Sequence, residues 1–179
     1  MSILALIASL EENGDLVPIK SRPKVRTDRI VYLTKKAWQA HNDPLSAVNI
    51  LVPRAFIQAG FERWNSGFVH ARMQGKKRGA FLAKLAPPPD GVWELRIYEP
   101  KPEQARVFCR FAAPDVLIAT HITTRSSLGD DGSAAWSSTM GDCVNEWNKL
   151  FPGLQPFVGS HLHDYVTKKC EDIVTRHNW

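Results

Sequence analysis

The predicted fold depends on three short runs in the middle of the chain: VWELRIY at residues 92–98, ARVFCRF at 105–111 and VLIATHI at 116–122. All three are rich in β-forming residues, and the second alternates arginine with apolar side chains, as expected for a half-buried strand. The third is a continuous apolar run, which is typical of a central strand. The proline-containing links between the runs are too short to hold a helix, so the sequence predicts an antiparallel meander.

Helical periodicity surrounds the predicted meander. Apolar side chains recur at helical spacing in residues 54–64, and Pro53 marks the start of that helix. The proline- and charge-rich segment 13–29 is predicted to be a loop or an extended arm. Further helices are predicted over the first ten residues, from an N-cap at Asp43-Pro44, over residues 136–150 and over residues 161–176.

Length and composition indicate one globular domain. The chain has 179 residues, of which 44% are hydrophobic and 23% charged, and this balance excludes wholesale disorder. The apolar start of the chain is too short to span a membrane and lacks the basic region of a signal peptide. The cysteines Cys109, Cys143 and Cys170 are odd in number and far apart, which is typical of a reduced, cytoplasmic protein.

Charge is spread unevenly along the chain. Residues 54–125 carry twelve basic and six acidic side chains, net +6, within a whole-chain net charge of +5. Residues 126–179 carry four basic and seven acidic side chains, net −3. A basic centre indicates a polyanionic partner such as RNA, although lysines and arginines that only solvate the surface would give the same count.

The centre of the chain also carries a recognisable pattern. Lys84-Leu85 is followed by a loop, by Trp93-Glu94-Leu95-Arg96, by Arg106-Val107-Phe108 and by an apolar strand that ends at Thr124-Arg125. Over residues 50–125 this pattern resembles the RelE/ParE superfamily of bacterial toxins, particularly its HigB-like or phage-type branch.

The resemblance implies an α+β fold in which helices pack on one face of a small, twisted, mainly antiparallel sheet. It divides the chain into an N-terminal helix and extended arm over residues 1–50, a RelE-like core over 51–125 and a helical C-terminal extension over 126–179. That extension is expected to pack on the core, so that the chain forms a single compact domain.

Many members of the superfamily are toxins of toxin–antitoxin systems that cleave messenger RNA on the ribosome without a metal. The resemblance therefore implies a cytoplasmic endoribonuclease with RNA or the ribosome and an antitoxin protein as partners, and with no metal or cofactor. Such cleavage uses a proton acceptor, a proton donor and cations that stabilise the charge on the phosphorane. The expected catalytic residues are Arg96, Arg106, His121 and Arg125. The expected RNA-binding residues are Lys76, Lys77, Arg78, Lys84 and Arg110.

Each of these assignments has a structural alternative. Arg96 could form a salt bridge with a neighbouring glutamate, Glu94 or Glu99. His121 could be a hydrogen-bonded structural residue at the end of its strand. The two arginines of the 105–111 run share one face, which is either a site or the solvated side of the sheet. The alternative function is a non-catalytic RelE-fold binding module, of phage or mobile-element origin, that binds a protein or a nucleic acid through its basic face.

Overall fold

Helices and strands are interspersed along the chain. The computed structural model describes residues 2–21, 25–75, 78–87 and 89–173. The strands are β1 (Leu16–Pro18), β2 (Ile30–Thr34), β3 (Val69–Arg72), β4 (Leu82–Lys84), β5 (Trp93–Ile97), β6 (Ala105–Ala113), β7 (Val116–Thr124) and β8 (Cys170–Asp172). The helices are α1 (Ile3–Glu12), α2 (Lys35–Asn42), α3 (Ala47–Leu51), α4 (Arg54–Ser66), α5 (Arg125–Leu128), α6 (Ala134–Leu150) and α7 (Leu162–Tyr165).

The strands form one mixed sheet. Their order is β1-β2-β7-β6-β5-β4-β3-β8, with parallel and antiparallel neighbours. Together with the helices, this sheet confirms the predicted α+β class. Within the described residues, no helix is both long enough and apolar enough to cross a membrane.

The centre of the sheet is the predicted antiparallel meander, formed by β5, β6 and β7. Trp93 lies opposite Cys109, and Val107 lies opposite Ile122. A β-bulge shifts the register of β6 against β7 beside Phe108. Strand β2 pairs with β7 in parallel, so a strand of the N-terminal segment joins the sheet directly beside the meander.

Strand β6 is buried on both faces, whereas its alternating pattern predicted a strand with one face buried and the other exposed to solvent. On one face, Val107 packs in a cluster that includes Phe61 of α4. On the other face, Phe108 packs in a cluster that includes Trp136 of α6, with the two ring centroids 5.5 Å apart. Helices therefore cover both faces of the sheet rather than the single face expected, because α6 packs over the face of β6 that carries its arginines.

The C-terminal segment departs from the helix predicted over residues 161–176. Helix α7 is a single turn, and Val166 after it already has an extended backbone. Strand β8 follows and pairs in parallel with β3, where Cys170 lies opposite Val69. Hydrogen bonding to β3 thus outweighs the four-residue apolar repeat that predicted a helix. Residues 174–176 lie outside the described part of the chain.

The helix start predicted at Asp43-Pro44 is also wrong. Helix α2 ends immediately before this pair, and Asp43 follows its last turn. The Asp43 carboxylate accepts a hydrogen bond from the Leu45 N–H at 2.9 Å, which forms a turn. Helix α3 begins after Ser46, whose side chain accepts from a backbone N–H of the first turn.

Arg29 joins three distant parts of the chain. Its buried side chain donates to the backbone carbonyls of Trp64, Gly67 and Lys168, the first and the last at 2.6 Å. The guanidinium also lies 5.2 Å from the centroid of the Trp64 ring. These contacts hold the end of α4 and the C-terminal segment against the start of β2, so the N-terminal arm forms part of the core.

Candidate functional site

Two arginines face each other across the middle of the sheet. Arg96 of β5 lies directly opposite Arg106 of β6, on the face that α6 covers. Glu94 lies two residues before Arg96 on the same face, and its side chain is fully buried. Arg96 Nε lies 2.6 Å from Glu94 Oε1, and Arg106 Nε lies 3.4 Å from Glu94 Oε2. We call Glu94, Arg96 and Arg106 the guanidinium cluster.

The guanidinium cluster carries a net charge of +1, because its one carboxylate lies against two guanidiniums. Burial lowers the pKa of Arg106; Glu94 opposes this effect, and the neighbouring Arg96 and Arg125 charges add to it. Burial also disfavours the charge of Arg96, but attraction to Glu94 and Tyr98 outweighs it and raises the pKa of Arg96. An arginine side chain ordinarily loses its proton only far above neutral pH, so both guanidiniums stay charged at pH 7.

Neighbouring groups hold both guanidiniums in place. Arg106 donates from Nη1 to the Ala105 carbonyl and from Nη2 to Gln104 Oε1, each at 3.0 Å. Arg96 Nη1 lies 3.4 Å from the Tyr98 hydroxyl, which itself donates to a backbone carbonyl. These contacts limit rotation of the side chains, so the donors are pre-organised for a ligand.

A cleft of about 420 Å³ opens above the guanidinium cluster. One wall is the loop after β4, the other is the first two turns of α6, and the sheet supplies the floor. The indole N–H of Trp136, in the α6 wall, has no hydrogen-bond partner among the described residues. Apolar walls with a few polar groups are the usual composition of a ligand site. The lining residues are Leu85, Ala86, Pro87, Glu94, Arg96, Asp131, Gly132, Trp136, Ser137 and Met140.

Arg125 lies at the mouth of the cleft. It is the first residue of α5, and its Nη2 atom lies 3.2 Å from Asp131 Oδ1. Its guanidinium is 5.7 Å from the centroid of the Trp136 ring. Asp131 balances its charge and has a side chain that is 80% exposed, so the pair forms a hydrated rim. The structure thus brings three predicted catalytic residues, Arg96, Arg106 and Arg125, to one side of the sheet.

His121, the fourth predicted catalytic residue, lies apart from the cleft. It is opposite Phe108 on β6 and is not part of the cleft lining. Its Nε2 atom lies 2.8 Å from Lys36 Nζ, so Nε2 accepts from the ammonium, and its Nδ1 atom lies 3.1 Å from Thr120 Oγ1. Burial and the Lys36 charge lower the pKa of His121 to about 4, which keeps the ring neutral at pH 7.

Arg110, predicted to bind RNA, is buried beneath α6. Its Nη2 atom donates to the Asp90 carbonyl at 2.9 Å, and its guanidinium lies 5.4 Å from the centroid of the Trp147 ring. Burial lowers the pKa of Arg110. These contacts tie the loop before β5 and the end of α6 to the sheet, so Arg110 has a clear structural role.

Lys84 and Arg78, the two other predicted RNA-binding residues that the structure describes, do not line the cleft. Lys84 lies opposite Trp93, whose ring is in the core on the face of the sheet away from the guanidinium cluster. Arg78 is exposed in the turn before β4. Lys76 and Lys77 lie outside the described residues. Lys84 is therefore separated from Arg96 by the sheet.

Distant segments supply parts of the site that no local pattern predicts. Trp136 and Met140 reach the cleft from α6, and Lys36 reaches His121 from the start of α2. The local signal in the sequence was the two-residue spacing of Glu94 and Arg96 within a predicted strand, which places both side chains on one face.

The described residues contain no group of three histidine, cysteine, aspartate or glutamate side chains that could hold a metal ion. Comparison with known proteins gives no match to a family model, a curated protein or a solved structure. Fold and site define an α+β protein with a positively charged cluster beneath an open apolar cleft. Chemically, this arrangement can hold an anion, because guanidinium groups pair well with carboxylate and phosphate oxygens.

Proposed function

We propose that the protein is a non-catalytic binding module and that its partner is held in the cleft above the guanidinium cluster. The observation that carries the proposal is the pairing of one buried carboxylate, Glu94, with two arginines beneath an open cleft. Guanidinium groups at the base of an apolar cleft favour an anion, because they pair well with carboxylate and phosphate oxygens. A partner that brings a negative charge to Arg96 is therefore stabilised there.

The contacts of the other predicted catalytic residues also favour binding over cleavage. Cleavage of RNA requires a proton acceptor and phosphate-stabilising cations at the same phosphodiester. His121 is hydrogen-bonded to Lys36 outside the cleft, and Arg106 is held under α6 by protein acceptors. Bringing these two side chains onto one substrate would break those contacts.

The second candidate is the endoribonuclease toxin that the resemblance to the RelE/ParE superfamily implies. One observation favours it: the imidazole of His121, neutral at pH 7, lies 2.8 Å from the Lys36 ammonium, so a nitrogen acceptor and a cation stand side by side, as cleavage of a phosphodiester requires. In this proposal the protein acts in the cytoplasm on messenger RNA, with the ribosome and an antitoxin as partners. The two candidates differ in whether RNA is cut.

Induced expression in a bacterial host separates the two candidates. Growth and the ends of total messenger RNA are followed over time for the wild type and for His121→Gln. The binding module predicts normal growth and unchanged RNA for both proteins. Growth arrest with new RNA ends in the wild type, absent in His121→Gln, would contradict the binding module and support the endoribonuclease.

Occupancy of the cleft is tested with anilinonaphthalene sulfonate, a fluorescent probe that joins an apolar body to one negative charge. Ser137 lines the cleft and Ser138 does not, and both are exposed on α6. We expect the purified full chain to bind the probe, Ser137→Trp to fill the cleft and abolish binding, and Ser138→Trp to retain it as the matched control. Absence of binding, or equal binding by the two variants, would contradict a binding site in this cleft.

A further inference from the structure

We infer that the protein binds a second copy of itself through an apolar face at the junction of α2, α3 and α4. Of the eight large apolar side chains that the described residues expose, four lie within residues 45–56. Such a concentration of exposed apolar side chains on a globular protein marks an interaction surface. The four that form the apolar face are Leu45, 80% exposed, Ile50, 66%, Leu51, 50%, and Phe56, 39%.

One buried residue, His41, brings the segments of the apolar face together. Helix α3 is held against the end of α2, because the Asn49 side chain donates to the carbonyls of Ala40 and His41 at 3.1 and 3.0 Å. The first turn of α4 meets the same residue, since Arg54 Nε lies 3.4 Å from His41 Nε2. The segments therefore converge on one pre-organised junction, which lowers the entropy cost of binding a partner.

The core beneath the junction is already filled. Val48 and Ile57 are 3% and 0% exposed and pack in the same cluster as Val107 of β6, on the face of the sheet opposite the cleft. Ile50 follows Val48 by two residues, about 200° around α3, so its side chain is directed away from that core. Removal of the apolar face from water therefore requires a partner molecule. The inference is independent of the cleft and of what the cleft binds.

The charge of this region selects the kind of partner. Residues 44–61 hold one charged side chain in eighteen, Arg54, whereas 23% of the whole chain is charged. Asp43, directly before this stretch, is exposed and carries the opposite charge. A nucleic acid or an anionic lipid surface is held by groups of basic side chains. One arginine beside one aspartate does not supply such a group, so the apolar face matches a surface that is itself uncharged.

A second copy of the chain offers that surface. Its own apolar face is equally poor in charge, and the cores of homodimer interfaces are apolar and depleted of charged residues. Elsewhere two copies repel each other, because each carries a net charge of +5. Contact of the two faces about a two-fold axis closes the assembly at a dimer, in which each face is buried by its counterpart.

Sedimentation equilibrium of the full chain tests the inference. We expect the average mass to rise from that of one chain toward that of two between about 1 and 100 μM, as for a small interface of micromolar affinity. A monomer over the whole range would overturn the inference. A mass that rises beyond two chains would also overturn it, because two faces joined about a two-fold axis leave neither face free.

A matched pair of variants locates the interface. Ile50→Glu puts a carboxylate into the apolar face and should raise the dissociation constant at least about 10-fold. Val158→Glu makes the same change at a side chain of equal exposure, 66%, between α6 and α7, and should leave the constant unchanged. Circular dichroism verifies folding, and Leu45→Glu repeats the test from a turn outside the helices. Equal dissociation constants for the folded face variants and Val158→Glu would overturn the inference.

Vesicles distinguish a second copy from a lipid surface. The full chain is sedimented with vesicles of phosphatidylcholine alone and with vesicles that also contain phosphatidylserine. We expect the wild type to stay in the supernatant with both, because the apolar face lacks a group of basic side chains. Binding to either kind of vesicle that Ile50→Glu abolishes and Val158→Glu retains would assign the face to a lipid surface and overturn the inference.

Discussion

Arg29 and Arg106 are both buried, and the structure satisfies their guanidiniums in different ways. Arg29 is 4% exposed and donates to three backbone carbonyls at the end of α4 and in the C-terminal segment. Arg106 is 3% exposed, but it shares one carboxylate with Arg96 beneath an open cleft. Satisfaction by backbone acceptors marks a structural arginine, whereas two guanidiniums that share one buried carboxylate beside an accessible cleft mark a candidate site.

The largest effect on stability should come from Arg29→Met, which keeps the apolar stem of the side chain and removes its donors. Three backbone carbonyls would lose their partner, one in a buried and two in part-buried hydrogen bonds, and each unsatisfied buried group costs about 1–3 kcal/mol. We expect the free energy of unfolding, measured in urea, to fall by about 4 kcal/mol.

Arg26→Met is the matched control for Arg29→Met. Arg26 lies in the same arm and has a side chain that is 83% exposed, so we expect a change of less than about 0.5 kcal/mol. A loss of less than about 1 kcal/mol for Arg29→Met would contradict a structural role for Arg29, because its three hydrogen bonds would then contribute no more than a surface ion pair.

The next effect in size concerns the guanidinium cluster. Glu94→Gln retains the shape of the side chain but leaves two guanidiniums without their shared carboxylate. Removal of one partner from a buried ion pair costs about 3–5 kcal/mol. Because Arg96 is 11% exposed toward the cleft, we expect the lower end, a loss of about 3 kcal/mol in urea unfolding.

Arg106→Gln in the Glu94→Gln background sharpens that measurement. If the loss reflects two guanidiniums that repel each other, removal of one of them should restore about 1 kcal/mol or more. A double variant no more stable than Glu94→Gln would show that the cluster holds no charge in excess, and Arg106 would then join Arg29 as a structural arginine.

The parts of the fold that depend on local pattern were predictable from the sequence. The meander follows from β-forming runs with short links, and α4 and α6 follow from apolar residues at helical spacing. Of the helix expected over residues 161–176, the described residues form only the single turn of α7, because pairing with β3 decides the structure of Cys170–Asp172. The burial of both faces of β6 was also not predictable from local sequence, since it depends on the packing of α6 over the sheet.

The candidate site was predictable as far as it lies on neighbouring strands. Alternation places Glu94 and Arg96 on one face of β5, and the hairpin brings Arg106 opposite Arg96. The cleft wall that contains Trp136 comes from a later helix, and the Lys36 partner of His121 comes from an earlier one. Contacts between such distant segments depend on tertiary packing, which single-sequence periodicity does not encode.

His121, unlike the buried arginines, changes its charge within an accessible pH range. Its ring contacts Lys36 of α2 and lies near Asp142 and Lys149 of α6, and burial together with Lys36 lowers its pKa to about 4. A histidine in the unfolded chain has a pKa of about 6.5, so the unfolded state binds the proton first as the pH falls. The contribution of His121 to stability is therefore complete above about pH 6.5 and declines as the pH falls toward 4.

Urea unfolding of the wild type and His121→Gln at about pH 7 and about pH 4.5 isolates this contribution. We expect the wild type to lose about 1 kcal/mol more than the variant over this interval, a value reduced because the ring is partly exposed to water. An equal loss in the two proteins would show that the folded ring titrates as it does in the unfolded chain.

The smallest effect on stability is expected at the mouth of the cleft, where Arg125→Met removes the ion pair with Asp131. The two side chains are 33% and 80% exposed, so water screens the pair and its contribution is about 0–1 kcal/mol. Asp131→Asn should give the same small loss, because it removes the same pair from the other side. A loss above about 2 kcal/mol for Arg125→Met alone would place Arg125 with Arg29 among the structural arginines. The expected result instead separates a water-screened ion pair at the rim from the buried ion pairs of the guanidinium cluster.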